Sequence, residues 1–193
     1  PPSQGWRTFL GNRVGCLASV DFFVVPTVTF RLLFVCIVLH HERRRIVHFG
    51  VTAQPTSEWT SQQIREAFPW DTAPRYLIRD RDASYGTVFH SRLQALGLNE
   101  VLTAPRSPWQ NAYAERVIGS IRRECLEHVI ILNEHHLRRL LMSYLAYYHR
   151  FRTHLSLGKD CPEPRPIQPP GQGRIIAFPQ VGGLHHRYER LAA

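Results

Sequence analysis

The sequence predicts an α/β protein in which helices pack on a mixed β-sheet. Three segments of strand length follow one another near the N-terminus, at residues 17–25, 31–39 and 43–52. The short polar connection at residues 40–42 favours an antiparallel meander. Shorter strands then alternate with helices, and two long amphipathic helices complete the pattern.

Local signals predict the next elements in order. Trp59 and Ile64 have helical spacing, and either Thr56 or Ser57 can cap a helix there. Residues 75–79 form a short apolar segment that predicts a strand. A helix at residues 90–96 is then expected to close at Gly97, and a further strand at residues 100–103.

The two long helices have clear start signals. The first is expected to begin at Ser107, with Asn111 as an alternative cap, and to run to about Ile131. The second is expected from Asn133 to about Phe151, because leucines and tyrosines repeat along one side of it. The predicted organisation is therefore an arm at residues 1–16, a core at 17–158 and a proline-rich tail at 159–193.

The composition favours an intracellular, nucleic-acid-binding protein. The net charge of +9 and the pI of about 10.0 indicate a polyanionic partner, although an unrelated basic protein is the alternative. The four cysteines form no C-x-x-C pair, which suits a reducing cytosol. The longest apolar run, residues 32–39, is far shorter than the ~20 residues of a membrane span. We therefore expect a cytoplasmic, nucleoid-associated protein without membrane contact.

Three acidic residues stand out by position. Asp21 lies inside an apolar strand, where a carboxylate is costly unless it is paired or binds metal. Asp80 follows a short strand, at an edge where sheet-based sites collect ligands. Glu115 shares a polar helical face with Asn111 and Gly119, away from the apolar stripe. Taken singly, Asp80 could cap a turn and Glu115 could be solvated.

Carboxylate oxygens are the ligands that hard divalent cations such as Mg²⁺ prefer. Two such ions about 3.5–4 Å apart can activate an attacking oxygen and stabilise a leaving one in phosphoryl transfer. The three carboxylates are therefore candidate ligands for catalytic metal ions. The eleven histidines are predicted not to be ligands, because their adjacent pairs cannot face one ion from a regular element.

Several other side chains are candidates for contacting DNA. Arginine binds phosphate in a bidentate manner without reading the base sequence, and the alternative for each arginine is a solvated basic face. Trp109 and Tyr113 could stack on an unpaired base or pack in the core. Asn111 could orient a phosphate or a ligand carboxylate, or cap the helix. The full set of predicted DNA-binding residues is Arg43, Arg44, Trp109, Asn111, Arg116, Arg122 and Arg123.

Four segments resemble the DDE transposase and integrase core family, especially bacterial insertion-sequence transposases. They are Ser19-Val20-Asp21-Phe22-Phe23, Tyr76-Leu77-Ile78-Arg79-Asp80-Arg81-Asp82, Pro105-Arg106-Ser107-Pro108-Trp109-Gln110-Asn111-Ala112-Tyr113-Ala114-Glu115-Arg116, and residues 148–158. The resemblance implies an RNase H-like fold with a mixed five-stranded sheet. It also implies that Asp21, Asp80 and Glu115 hold two Mg²⁺ or Mn²⁺ ions for DNA cleavage and strand transfer, without a covalent enzyme intermediate.

The sequence departs from the family pattern in two ways. Asp82 stands where many relatives have glycine, so it is either a bystander or a ligand that competes with Asp80. Helix-turn-helix segments are absent from the N-terminal side, so a truncated copy that works with an upstream helix-turn-helix partner is one hypothesis. The resemblance also implies a homo-oligomer, because two element ends must be joined. A non-catalytic DNA-binding remnant and an RNase H-like nuclease remain alternatives.

Overall fold

A mixed sheet with strand order β3-β2-β1-β4-β5 forms the centre of the computed structural model, which describes residues 5–69, 72–82 and 84–192. The strands are β1 (Leu17–Pro26), β2 (Leu32–His40), β3 (Arg45–Thr52), β4 (Tyr76–Arg79) and β5 (Asn99–Leu102). The first three pair antiparallel, whereas β4 and β5 run parallel to β1. The predicted five-stranded mixed sheet and its antiparallel meander are confirmed.

Helices cover both faces of this sheet. They are α1 (Trp6–Arg13), α2 (Ser57–Ala67), α3 (Thr87–Ala95), α4 (Ala112–Glu124) and α5 (Glu134–Arg150). One core joins alternate residues of β1 and β2 to α4 and α5, and a second core joins the remaining alternate residues to α2 and α3. Burial on both faces explains why β1 and β2 are almost continuously apolar. Within the described part of the chain, none of the helices combines the length and apolar character that crossing a bilayer needs.

The helix starts depend on local capping. Thr56 rather than Ser57 caps α2, since its hydroxyl accepts a hydrogen bond from the Trp59 backbone N–H at 3.2 Å. Asn133 caps α5 through the His136 N–H at 2.9 Å. The expected end of the long helix near Ile131 is wrong, because α4 ends at Glu124. At its start, a 3-10 turn at Pro108–Asn111 comes first, and Asn111, the predicted alternative, takes the N-cap position of α4 without a side-chain capping hydrogen bond.

The early end of α4 has a tertiary cause. Cys125 leaves the helical region, with φ −138° and ψ −63°, and its side chain is fully buried. Glu124 immediately before it is held by Arg152 from beyond α5. Neither constraint can be read from helical periodicity, because both depend on how α5 packs.

Both predicted flanking segments contain regular structure. Residues 6–13 form α1, and the tail contains a hairpin of β6 (Arg174–Gln180) and β7 (His185–Leu191). The hairpin contacts the core through Val181, which is buried, and through His185, whose ring stacks on Tyr147 at 4.4 Å. The tail is therefore not an unstructured linker throughout, because residues 174–180 and 185–191 pair as two strands. The boundaries of arm, core and tail stay a prediction.

Close packing between β3 and α2 makes Gly50 sensitive to substitution. A Cβ at Gly50 would overlap the Gln63 side-chain amide and lie 2.9 Å from Trp59 Cζ2. Gln63 also pairs with His48 at 2.9 Å, so moving it breaks a second contact. We expect Gly50→Ala to lower the free energy of unfolding by about 1–3 kcal/mol in urea titrations.

Gly11→Ala is the matched control for this prediction. A Cβ at Gly11, inside α1, meets nothing within 4 Å among the described residues. Because alanine favours a helix over glycine, this variant should be at least as stable as the wild type. Equal stability of Gly50→Ala and the wild type would contradict the close approach of α2 to the sheet.

Candidate active site

The parallel pairing of β1 and β4 brings two of the predicted carboxylates together. Ser19 is level with Ile78 in this register. Extending the pairing by two residues sets Asp21 level with Asp80, and neighbouring strands lie about 4.8 Å apart. Asp21 lies within β1, while Asp80 is the first residue after β4. The two acidic residues therefore reach the same cavity although 59 positions separate them in the sequence.

The third carboxylate reaches this edge from α4. Asn111, the residue before α4, places its side-chain Nδ2 3.4 Å from both the Val20 carbonyl and Asp21 Oδ2. Glu115 lies one helical turn further and is exposed, whereas the buried positions of α4 fall on its other side. Asp21, Asp80 and Glu115 line one cavity of about 380 Å³, here called the carboxylate cavity.

Asp21 has an unusual electrostatic environment. Its pKa is raised from 3.8 to about 7, mainly because burial disfavours the charged form. The acidic neighbours Glu115, Asp80 and Asp82 raise the pKa further, while the Phe22 backbone N–H, 2.8 Å from Asp21 Oδ1, lowers it. Four acidic side chains therefore line the cavity beside Arg81 and Arg106, and a cation bound near Asp21 would relieve the repulsion among the carboxylates.

Asp80 and Asp82 take different positions in the loop after β4. Asp80 Oδ1 accepts a hydrogen bond from the Asp82 backbone N–H at 3.2 Å. Asp82 Oδ1 in turn accepts from the Ser84 N–H at 2.8 Å. Both carboxylates line the cavity, but Asp82 is the weakest of the three acidic influences on Asp21. This arrangement favours Asp80 as the partner of Asp21 and gives Asp82 a role in shaping the loop.

The carboxylate oxygens of the cavity are ligands that suit a hard cation, although they do not converge on a single position. Within residues 5–69, 72–82 and 84–192, no three His, Cys, Asp or Glu side chains converge closely enough to form a ready ion cage. Sharing a cavity is a weaker condition than coordination, and like charges oppose closer approach. Asn111 Oδ1 is buried and lacks a hydrogen-bond partner in the described residues, so it adds an unused oxygen to the site.

The loop after β5 closes the other side of the cavity. Residues 103–107 line it, and Arg106 adopts a left-handed conformation with φ of 56°. The Gln110 side chain accepts a hydrogen bond from the Ala104 N–H at 2.6 Å, which ties the loop to the turn that precedes α4. The loop thus has a defined position relative to Glu115.

The predicted DNA-binding residues are dispersed around this centre. Asn111 lies in the carboxylate cavity, and Trp109 is 64% exposed nearby. Arg122 is exposed with its guanidinium 5.8 Å from the Phe23 ring. Arg43 makes internal contacts instead, to Asp160 at 2.7 Å and to two backbone carbonyls. These contacts favour a structural role for Arg43 and leave its DNA contact a prediction.

The remaining predicted arginines gather around a second cavity. Arg44, Arg116 and Arg123 line it together with Arg152 and His154. Sequence reasoning did not single out the last two as functional. Both lie in the segment 148–158 that resembles the family, but only the packing of α5 against α4 brings them to this cavity.

These features define an RNase H-like core with a carboxylate-lined cavity at the junction of β1, β4 and α4. A family model described as "Integrase core domain" matches residues 96–162. An "Insertion element IS476 uncharacterized 39.2 kDa protein" of Xanthomonas euvesicatoria is 24% identical over 145 residues, covering 75% of this chain and 42% of the relative. Over these segments the chain is therefore similar to an integrase core domain and to an insertion-element protein, and it spans less than half of that relative's length.

Several solved structures have the same fold as this chain. A chain of the simian T-cell lymphotropic virus intasome, in complex with a PP2A regulatory subunit, superposes with a TM-score of 0.62 at 13% identity over 90% of this chain and 66% of that one. The HTLV-2 integrase catalytic core domain with magnesium superposes with a TM-score of 0.59 at 10% identity, over 75% of this chain and 92% of that one. The Mos1 transposase catalytic domain, with Raltegravir and Mg, superposes with a TM-score of 0.56 at 11% identity, over 72% of this chain and 75% of that one.

Proposed function

We propose that the chain is the catalytic core of a DNA transposase that cleaves a phosphodiester and transfers the resulting 3′ end to target DNA. The observation that carries this proposal is the meeting of Asp21, Asp80 and Glu115 at one cavity, although they come from three elements far apart in sequence. The formal net charge of +9 supports a nucleic-acid substrate.

Divalent ions would be held by Asp21, Asp80 and Glu115, with Mg²⁺ or Mn²⁺ as the expected metal and two as the expected number. The all-oxygen donors and the negative field at Asp21 fit such a cation. The HTLV-2 and Mos1 cores contain magnesium, which supports the same choice here. When bound, such ions supply Lewis-acid activation of an attacking oxygen and charge stabilisation of a leaving one.

The reaction balances without an external energy source. In cleavage, water attacks the phosphorus and the P–O3′ bond breaks, leaving a 3′-hydroxyl and a 5′-phosphate. In strand transfer, that 3′-hydroxyl attacks a target phosphodiester, and one P–O bond forms as another breaks. Asp21 and Glu115 position the reacting phosphate between β1 and α4, while the ordered loop at residues 103–107 bounds the strand.

Partners follow from the same proposal. Joining two DNA ends needs at least two cores, so we propose a homo-oligomer; the HTLV-2 core is described in trimeric and dimeric forms. Element ends and target DNA are the proposed nucleic-acid partners. The upstream helix-turn-helix partner stays a prediction, since no comparison above concerns it.

Glu115→Gln tests the function directly. With a labelled DNA duplex and Mg²⁺ or Mn²⁺, we expect wild-type cleavage that EDTA abolishes. Residues that merely support a metal ligand change activity about 10–100-fold, so neutralising a ligand should lower cleavage by more than ~100-fold. Cleavage products are measured on denaturing gels, and metal binding by calorimetry.

Glu127→Gln is the matched control, because Glu127 is an exposed carboxylate that follows α4 and lies outside the carboxylate cavity. It should cleave as the wild type does. DNA binding without cleavage under any metal would indicate a non-catalytic remnant and refute the proposal. Activity on an RNA–DNA hybrid alone would instead indicate an RNase H-like nuclease.

A further inference from the structure

A second cavity, of about 320 Å³, lies between α4, the segment after α5 and the turn that joins β2 to β3. Four arginines line it and no acidic residue does, and we call it the arginine cavity. Its charged and aromatic lining residues are Arg44, Tyr113, Arg116, Arg123, Tyr148, Arg152 and His154. It adjoins the carboxylate cavity through α4, because Glu115 and Arg116 are consecutive.

The positive charge of this cavity is largely uncompensated. Glu124 neutralises Arg152, and its carboxylate accepts a hydrogen bond from Arg152 Nε at 2.7 Å. Among the ion pairs of the described residues, none involves Arg44, Arg116 or Arg123. Three guanidinium groups without carboxylates repel one another, so an anion bound among them would relieve that repulsion.

Arg44 is held in place and has unused donors. Its backbone is left-handed, with φ of 59°, and its guanidinium carbon lies 3.6 Å from the centre of the Tyr113 ring. Nε and Nη1 of Arg44 are buried and have no acceptor within the described residues. Buried donors are rarely left unsatisfied, so these groups indicate a site that an acceptor completes.

His154 presents a further donor at the cavity. Arg152 Nη1 lies 3.3 Å from its Nδ1, so Nδ1 accepts and the neutral ring carries its hydrogen on Nε2. Nε2 is buried without a partner in the described part of the chain. Burial, followed by the positive charges of Arg152 and Arg44, lowers the pKa of His154 to about 4, so the ring is neutral near pH 7.

Gly119 allows Arg123 to lie along α4. A Cβ at Gly119 would sit 2.9 Å from Arg123 Nη1, so the arginine side chain folds back over the glycine. It thereby extends toward the end of the helix that carries Glu115 and Arg116. The side chains of Arg116 and Arg123 thus both line the arginine cavity from α4.

We propose that the arginine cavity binds a backbone phosphodiester of the DNA strand whose reacting phosphate occupies the carboxylate cavity. This inference rests on the proposed function. Guanidinium groups suit phosphate oxygens because each presents paired donors in a fork. A contact of this kind positions the strand without reading its bases.

The test measures DNA binding in EDTA, so that cleavage plays no part. Fluorescence anisotropy of a labelled duplex at several chloride concentrations compares the wild type with Arg116→Gln/Arg123→Gln. We expect the DNA affinity of the double variant to fall about tenfold. The slope of log affinity against log chloride concentration should also become shallower, by the equivalent of about one to two released counterions. Arg139→Gln, an exposed arginine on α5 outside this cavity, is the control and should bind as the wild type does.

Two further arms keep the result interpretable. Inorganic phosphate should compete with the duplex for the wild type more than chloride of equal ionic strength does, and this excess should vanish in the double variant. Arg116→Lys/Arg123→Lys keeps the charge, so it should retain the salt dependence and bind with intermediate affinity. Circular dichroism verifies folding, and if the double glutamine variant is unfolded, Arg116→Gln alone gives the comparison.

Wild-type DNA affinity in the glutamine variants would overturn the inference, even if inorganic phosphate alone bound the cavity. Failure of the proposed function gives a different pattern. Absent cleavage together with arginine-dependent DNA binding refutes only the catalytic proposal. Intact metal-dependent cleavage together with arginine-independent binding refutes only the phosphate site.

Discussion

Asp21→Asn should make the metal-free protein more stable at about pH 8, by roughly 4 kcal/mol at most. The pKa of Asp21 is raised from 3.8 to about 7, which is about three units, and each unit corresponds to about 1.36 kcal/mol. The amide carries no charge among Glu115, Asp80 and Asp82.

The sign of the pH dependence follows from linkage. Because the folded state raises the pKa, it binds the proton more tightly than the unfolded state does. The stability due to protonated Asp21 is therefore fully present below about pH 4 and is lost as the pH rises to about 7. Asp21→Asn should remove this fall, as urea titrations across that range in EDTA would show.

Magnesium should act in the opposite direction. Added Mg²⁺ should restore stability to the wild type at about pH 8 through binding to the folded state, and should restore little to Asp21→Asn. Glu42→Gln, which changes an exposed carboxylate in the turn between β2 and β3, should follow the wild-type pH profile. A parallel fall in Asp21→Asn and the wild type would show that Asp21 does not carry the pH dependence.

Glu124→Gln should destabilise the protein by about 2–4 kcal/mol near neutral pH. Glu124 accepts hydrogen bonds from Arg152 Nε at 2.7 Å and from the Tyr144 hydroxyl at 2.8 Å, and pairs with Arg152 Nη2. Removing one partner of a buried ion pair costs about 3–5 kcal/mol. The expected loss is smaller here, since the two side chains are 26% and 23% exposed.

The contribution of Glu124 to stability depends on pH in the opposite direction to that of Asp21. Burial raises the pKa of Glu124, but the hydrogen bonds from Arg152 and Tyr144 outweigh it and leave the pKa below 4.5. The stability from this group is therefore present above about pH 4.5 and is lost as the pH falls through the folded pKa. The difference between Glu124→Gln and the wild type, measured by thermal or urea unfolding, should accordingly shrink in acid.

The exposed pair of Arg150 and Glu163 provides the control. Its side chains are 66% and 40% exposed at a separation of 3.2 Å. Exposed pairs contribute about 0–1 kcal/mol, so Glu163→Gln should change stability by less than about 1 kcal/mol. If both glutamine variants lost the same small amount, Glu124 would not be the residue that holds Arg152 and ends α4.

Several features of the fold were predictable from local pattern. Continuous apolar runs indicated strands buried on both faces. Thr56 and Asn133, which directly precede helical patterns, indicated N-caps that the structure confirms. The end of α4 at Glu124 was not predictable, because apolar spacing continues to Ile131 while Arg152 and the burial of Cys125 end the helix. The terminal hairpin was missed because its stability comes from the pairing of its two strands and from contacts with the core, neither of which is a local sequence signal.

The sequence by itself identified the three candidate carboxylates and the family resemblance. Asp21 was anomalous within an apolar strand, and the segment ending at Glu115 carried the most specific motif. Only the tertiary structure decided which charges share a cavity, because the register of β1 against β4 and the placement of α4 are long-range. The same reason separates Arg43, which binds the chain's own carbonyls, from Arg44, which faces Tyr113 in the arginine cavity. Adjacent arginines look alike in sequence, whereas packing assigns their partners.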